Sequence, residues 1–304
     1  MKSKQDLRER LDNASLYIMT IPGVILFLIF SYLPMFGIVM AFKDYSYARG
    51  IWKSPWVGLK NFEVFFRSPD AWVITRNTLA YNISFIILGT ILAIIMALAL
   101  SEITNKLASK VYQTIALMPH FLSYVIVAYI AMSFLASENG VLNTQLLPAL
   151  GMDPISWYSE PKYWPFILFF VKNWKGIGYS SIVYLAAIAG INPEYFEAAS
   201  VDGASRFKQI IHITLPSLKS MIVILTIMSL GGIFNADFGL FYNIPMNAGL
   251  LKPTTNVLST YIYAQKSNVS FATAAGLYVS LVGFAMVMTV NGITRKFDPD
   301  SSLF

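Results

Sequence analysis

The 304-residue chain contains no cysteine, so neither a disulfide nor a thiolate metal site is open to it. Histidine is nearly absent as well: His120 and His212 are too few for a histidine metal cluster. Charge is the third scarcity. Lys, Arg, Asp and Glu make up 12% of the residues, about half the share of a soluble domain. Such a chain cannot dress a water-facing surface and is suited to a bilayer. The net charge of +6 does not point to nucleic acid, because the basic residues are scattered singly and form no stripe. Several chemical signatures are missing too. There is no G-x-x-x-x-G-K-[ST] loop to cradle ATP phosphates, and neither H-E-x-x-H nor G-x-S-x-G, which argues against a membrane protease or hydrolase.

What is abundant is apolar, at 56% of the sequence. Runs near the ~20 residues needed to cross hydrocarbon fall at 17–42, 77–100, 113–135, 164–190, 218–242 and 271–294. Lys2, Lys4, Arg8 and Arg10 precede the first run as in a signal peptide. That run is too long, however, and no small-residue cleavage site follows, so it reads as uncleaved. Pro22 and Pro34 are expected to bend it. The fold expected is an all-α polytopic membrane protein of six transmembrane helices. It divides into an N-terminal segment 1–16, a single membrane domain 17–294 and a tail 295–304.

Six spans put both ends on one side. Eleven Lys and Arg fall on that side and nine on the other, within longer loops. The bias places both termini in the cytoplasm. The opposite loops, "DYSYARGIWKSPWVGLKNFEVFF" and "MDPISWYSEPKYW", are rich in Trp, Tyr and Phe. They read either as an aromatic belt at the headgroups or as a docking surface for an extracellular partner.

One stretch departs from the apolar background: "NPEYFEAASVDGASRFKQIIHITLP", residues 192–216. Asn192 followed by Pro193 is a helix start, with Glu194 favourable to the dipole. The helix should run to about Asp202 and stop at Gly203 in the left-handed conformation. A second helical stretch over 204–211 follows, and Leu215-Pro216 punctuates entry into the fifth span. Tyr195, Ala198, Ala199 and Asp202 share one face, where two alanines leave a shallow surface. Physically the segment fits either an interfacial helix with its aromatics in the headgroups or a contact surface for another protein.

Its residues also carry a pattern. Glu197-Ala198-Ala199, three residues, Gly203, nine residues, Ile213, one residue, Leu215-Pro216 is the EAA-x3-G-x9-I-x-LP arrangement. This resembles the cytoplasmic loop of permease subunits in binding-protein-dependent ABC importers. "RNTLAYNI", "LMPHFLSYVIVAYI" and the ending "TRKFDPDSSLF" are similar to the branch of carbohydrate permeases serving oligosaccharide and polysaccharide-fragment uptake. The resemblance implies a type I importer permease fold in a bacterial cytoplasmic membrane. In that family the loop forms paired coupling helices that dock on a cytosolic ATPase. Glu197, Ala198, Ala199, Asp202, Gly203, Arg206, Ile213, Leu215 and Pro216 would then form the coupling site. The implied partners are a second homologous permease, two ABC ATPase subunits and an extracytoplasmic solute-binding protein. No cofactor or metal is expected on this chain, and ATP and magnesium belong to the ATPase.

Polar residues inside spans are costly and default to function. In the fourth span Lys172, Gly176, Tyr179 and Val183 share a helix face; the fifth carries Ser229, Asn235 and Asp237 around Gly231-Gly232. The resembled family lines its path with these two spans, which makes Lys172, Gly176, Tyr179, Ser229, Asn235 and Asp237 candidates for the substrate path. Tyr can stack on sugar rings while Asn and Ser bond hydroxyls, and the lysines are compatible with an acidic sugar. Other readings stand beside these. Lys172 and Lys175 could snorkel to the headgroups, Asp237 could pair with a lysine of another span, and the glycines could serve helix packing. Asn77, Asn82 and Asn291 have no assigned role. The competing function is an ion-gradient-driven secondary transporter of polar solutes, which needs intramembrane carboxylates that the chain barely supplies.

Overall fold

A chain this apolar satisfies its backbone in helices. The computed structural model describes residues 2–68, 70–297 and Ser302, and among them the only β pairing is one antiparallel bridge between Lys43 and Trp56. Most of the expected tail, 295–304, lies outside the described residues. The chain divides into two compact units, Met1–Ser68 with Gln265–Tyr278 and Pro69–Ala264 with Val279–Phe304.

The first unit opens with α1 (Lys2–Phe27), which passes through one wide π turn, Leu28–Tyr32, into a 3-10 stretch, Leu33–Phe42. Pro34 accounts for the change in helix type. Its missing N–H and its ring disturb the turn just before it. Side chains from Leu16 to Phe36 are mostly exposed, as an apolar helix facing lipid would be. Beyond it α2 (Gly50–Lys53) and α3 (Lys60–Arg67) are short. Buried Lys43 donates to the carbonyls of Ile51 at 2.8 Å and Trp52 and lies 5.0 Å from the Trp56 ring centre. The buried ammonium is therefore held by carbonyls and a π face. Trp52, next to it, is 91% exposed.

The second unit is built on α4 (Ala71–Ser101) and, further along the chain, α8 (Trp164–Ala189), which pack along each other. Ala93 and Ala97 of α4 meet Tyr184 of α8 at one end. At the other, Tyr81 joins Trp164, Leu168 and Val171 in the main core. Between them in sequence, α5 (Lys106–Leu117) and α6 (Tyr124–Leu135) bend by 96° across a 3-10 turn, Met118–Phe121, that contains Pro119. A single turn, α7 (Leu147–Ala149), lies in the following loop. Buried Asn143 organises that loop, since its side chain bonds the backbone of Ser137 and Ile155 and the Trp157 indole.

After α8 come α9 (Pro193–Val201), α10 (Arg206–Gln209), a π turn Ile210–Thr214 and α11 (Leu215–Gly231). Three short helices follow, α12 (Phe238–Asn243), α13 (Lys252–Thr255) and α14 (Leu258–Ala264), and then α15 (Val269–Phe297). Gly231 and Gly283 bring α11 and α15 into backbone contact, for a Cβ on Gly283 would meet the Gly231 carbonyl.

These elements revise the expected spans. Among the described residues four helices are long and apolar enough to cross a membrane: Leu16–Phe42, Ala71–Ser101, Arg206–Gly231 and Val269–Lys296. Counting the bent α5–α6 pair as one raises that to five. The expected third span, 113–135, is therefore broken, where Pro119 and the Ser123 cap end one helix and start another. The fifth, expected over 218–242, begins earlier and ends at Gly231, because a glycine pair and then the Asp237 cap divide it from α12. The expected fourth span is a 26-residue helix, α8, which carries two lysines and is not among these four.

Gly176 and Gly178 on α8 make a controlled pair. A Cβ at Gly178 would overlap the Ala116 backbone of α5, whereas one at Gly176 would meet nothing within 4 Å. Gly178→Ala is expected to cost about 1–3 kcal/mol and to lower the thermal midpoint of the detergent-purified protein. Gly176→Ala should leave it unchanged.

Candidate functional site

The polar segment folds as an exposed hairpin of two short helices. The Asn192 side chain accepts from the Glu194 N–H at 3.0 Å and Pro193 occupies the first turn, so α9 starts where these residue types place it. At its other end the Ala204 N–H donates to the Ala199 carbonyl at 2.8 Å and the Gly203 N–H to that of Ser200 at 3.1 Å. That pair of bonds is a Schellman motif, and Gly203 takes its left-handed position with φ +74°. Ser205 caps α10. Gln209, 4% exposed, then locks the two helices together, donating to Ser200 Oγ at 2.9 Å and to the Ala204 carbonyl.

Glu197, Ala198, Asp202, Gly203 and Arg206 are exposed on this hairpin, as are Tyr195, Val201 and Phe207; Ala199 is half-buried. Apolar side chains standing out beside a shallow alanine face suit a protein contact. Ile213 and Leu215 are half-buried and Pro216 is exposed. The punctuation expected at Leu215-Pro216 takes the form of a change in helix type at the start of α11. Proline removes the N–H that would reach the His212 carbonyl, and the backbone accommodates this with the π turn Ile210–Thr214 without breaking the helix. Residues Arg206–Gly231 consequently form one continuous helical path from the hairpin inward.

That path ends at a cavity of about 540 Å³ between α4, α8 and α11. Its wall includes Lys172, Gly176, Tyr179 and Val183, the face expected of α8, together with Ser229 from α11. Asn235 and Asp237 are not in the wall. Both lie beyond the end of α11, where Asn235 is exposed and Asp237 caps α12 by accepting from the Leu240 N–H at 3.3 Å. The earlier helix end explains the displacement, since the expected face continued a helix that stops at Gly231. Asn82 and Asn173 do line the cavity. Asn82 was visible as an isolated polar residue inside an apolar run, but its bond to the Ile233 carbonyl at 2.7 Å was not.

Behind the wall the charged groups are paired internally. Lys172 Nζ lies 2.9 Å from Asp237 Oδ2, and the Tyr124 hydroxyl donates to the same oxygen at 2.6 Å. Lys175 donates to the His120 carbonyl at 2.5 Å and sits 5.1 Å from the Tyr124 ring centre. The His120 ring stacks on Tyr179 at 4.5 Å. Neither lysine is directed only at headgroups, and the lysine that pairs with Asp237 belongs to α8 of this same chain. The cluster joins both interrupted helices, since Tyr124 begins α6 and Asp237 precedes α12. The site so assembled can hold a polar solute in the cavity, with hydrogen-bonding amides and hydroxyls, one ammonium and aromatic faces on its wall.

Residues 89–299 match the family described as binding-protein-dependent transport system inner membrane component. Among relatives, the chain is 37% identical over 288 residues to Protein LplB of Bacillus subtilis (strain 168), covering 94% of this chain and 90% of that one. It is 36% identical over 299 residues to the polygalacturonan/rhamnogalacturonan transport system permease protein YteP of the same organism, covering 97% and 92%. Its fold also matches a chain of a bacterial ABC transporter involved in the import of the acidic polysaccharide alginate. That match has a TM-score of 0.86 and 35% identity and covers 96% of this chain and 98% of that one.

The hairpin geometry carries its own prediction. A left-handed backbone costs an ordinary residue about 1–2 kcal/mol and a β-branched one more, whereas Asn tolerates it. Gly203→Val should therefore open the α9–α10 turn and speed tryptic cleavage after Arg206 and Lys208 in membrane vesicles. Gly203→Asn should leave the cleavage rate near that of the parent.

Proposed function

We propose that this chain, which belongs to the family of binding-protein-dependent transport system inner membrane components, is a permease subunit of an ATP-driven importer of oligosaccharides or polysaccharide fragments. The observation that carries the reading is the continuity of the docking hairpin with the cavity wall through Arg206–Gly231. A motor acting on residues 192–216 would move the helix that contributes Ser229 to the path.

The sugar class is supported by the polymer substrates in the names of YteP and of the alginate importer. It is supported too by the cavity's mix of amides, hydroxyls and an exposed tyrosine ring, a chemistry that fits sugar hydroxyls and ring faces. In this reading the chain spans the membrane six times, with α5–α6 and α8 as the third and fourth passes. Residues 1–16 and 295–304 are cytoplasmic, which puts the hairpin and the basic-rich loops on the ATPase side. Glu197, Ala198, Ala199, Asp202, Gly203 and Arg206 face the ATPase, while Ile213, Leu215 and Pro216 set the junction to α11. Two ABC ATPase subunits bind and hydrolyse ATP with magnesium, this chain binds no cofactor, and a second homologous permease completes the path. An extracytoplasmic solute-binding protein delivers the sugar. A structure of the alginate importer with an alginate pentasaccharide-bound periplasmic protein, matched at TM-score 0.85 and 35% identity, supports that partner.

Purification of the tagged protein from native membranes in mild detergent tests the arrangement. A cytosolic ATPase and a second permease should co-purify, and combined Glu197→Ala and Gly203→Val substitutions should release the ATPase while the protein stays in the membrane. Recovery of the chain alone, competent for uptake in ATP-free vesicles under an ion gradient, would make it a secondary transporter.

A further inference from the structure

The cavity wall carries one charged side chain, the Lys172 ammonium, and no carboxylate. Among the described hydrogen bonds Lys172 donates only to Asp237, although an ammonium has three donors. Its side chain remains 36% exposed. Asp237 is held more fully and from behind, since Tyr124 Oη donates to it at 2.6 Å and the Leu240 N–H at 3.3 Å. Loss of Lys172 would leave Asp237 with two donors, whereas loss of Asp237 would leave Lys172 with none of those described. One turn along α8, Gly176 has open space where a Cβ would stand, and Tyr179, 55% exposed, follows on the same face. An ammonium, a gap and an aromatic ring thus succeed one another along the wall.

We propose that Lys172 receives a carboxylate of the transported saccharide and that Asp237 is the internal carboxylate that occupies it while the path is empty. The proposal rests on the saccharide-import reading and adds to it the charge of the cargo and the residue that selects for it. Exchanging one carboxylate for another keeps the ammonium paired, and the displaced Asp237 carboxylate, 28% exposed, keeps two hydrogen-bond donors. Asp237 stays held by Tyr124 and Leu240, and the Lys175 ammonium lies 5.1 Å from the centre of the same Tyr124 ring. A neutral saccharide gains nothing from the exchange, because displacing Asp237 would leave Lys172 unpaired. Selection acts through that unpaired charge. The gap at Gly176 gives a sugar ring room between ammonium and tyrosine.

The test uses the assembled transporter with its binding protein and ATPases in proteoliposomes. Uptake is compared for a panel of hexuronic-acid trisaccharides and for the same panel after carboxyl reduction to neutral sugars. The readout is the acid-to-neutral uptake ratio of each variant relative to the parent, in which the binding protein's own preference cancels. Lys172→Met should lower the ratio at least about tenfold, as loss of one partner of a desolvated charge pair does. Lys172→Arg should keep it within about threefold, and Asp237→Asn should raise it by removing the competitor. Equal loss of both sugar classes in the Met and Asn variants, with the ratio unmoved, would reduce the pair to a structural tie and overturn the proposal. If the Met variant does not assemble, the Asn variant decides, and an unmoved ratio again overturns it. Uptake of neither panel by the parent protein would instead overturn the saccharide reading itself.

Discussion

Backbone that leaves the helical path at membrane depth must find its hydrogen bonds within the protein, because lipid supplies none. The second compact unit depends on how that demand is met. Past Gly231 the chain runs through short helices and turns, and one face of α4 bonds to this irregular stretch. Asn82 reaches the Ile233 carbonyl, Asn77 those of Pro253 and Asn256, and Tyr81 that of Thr254. Thr78 Oγ1 accepts from the Leu258 N–H. At the other interruption Lys175 takes the His120 carbonyl. Helices can stop partway only because side chains from continuous helices take over the freed groups. The cavity and the crossing of Tyr124 with Asp237 both follow from those stops.

The ion pair belongs to the same logic. A half-buried carboxylate and ammonium gain little net stability against an apolar alternative, yet removing one alone leaves the other without its counter-ion. Lys172 and Asp237 therefore depend on each other more than the fold depends on either. The pair sits where α8 passes the break between α11 and α12, so it also fixes which stretch of α8 faces the cavity. A proton-coupled carrier would want that carboxylate free to titrate. Here it accepts from Lys172, Tyr124 and the Leu240 N–H.

How much of this was legible in the sequence depended on the range of the interactions. The hairpin's first helix was readable almost residue by residue, because an Asn-Pro start and a glycine stop act on neighbours within one turn. The face of α8 was readable for the same reason, as 3.6-residue spacing carried Lys172, Gly176 and Tyr179 to one side. The breaks were not. An apolar run reports composition, and 113–135 and 218–242 are apolar on both sides of their interruptions. Pro119 and the Gly231-Gly232 pair marked the places, but what makes a break tolerable lies on α4, 151 residues away in the case of Asn82 and Ile233. Asn235 and Asp237 were misplaced as a direct result. The π turn at 210–214 was missed because Pro216 permits either a break or a wide turn, and continuous packing selects the turn.

The breaks also decide how a push on the hairpin can reach the cavity. From Arg206 to Gly231 there are 26 residues of continuous helix, about 39 Å at 1.5 Å per residue. Gln209 clamps α9 to the outer end of this rod. At the inner end Leu225, Met228 and Ser229 face the cavity, and Gly231 lies backbone to backbone with Gly283. Beyond that point the chain is bonded to α4. The rod ends before the short helices that follow it, and on its way Met221, Ile222 and Leu225 pack against Ala93, Ala97 and Tyr184 of the α4–α8 pair. Had the fifth span continued as one helix to residue 242, unbroken helix would join the hairpin to α12 and to Asp237. A coupling mechanism needs two bodies that make different contacts in different states. Interruption at Gly231 ends the rod before the stretch that is bonded to α4 begins.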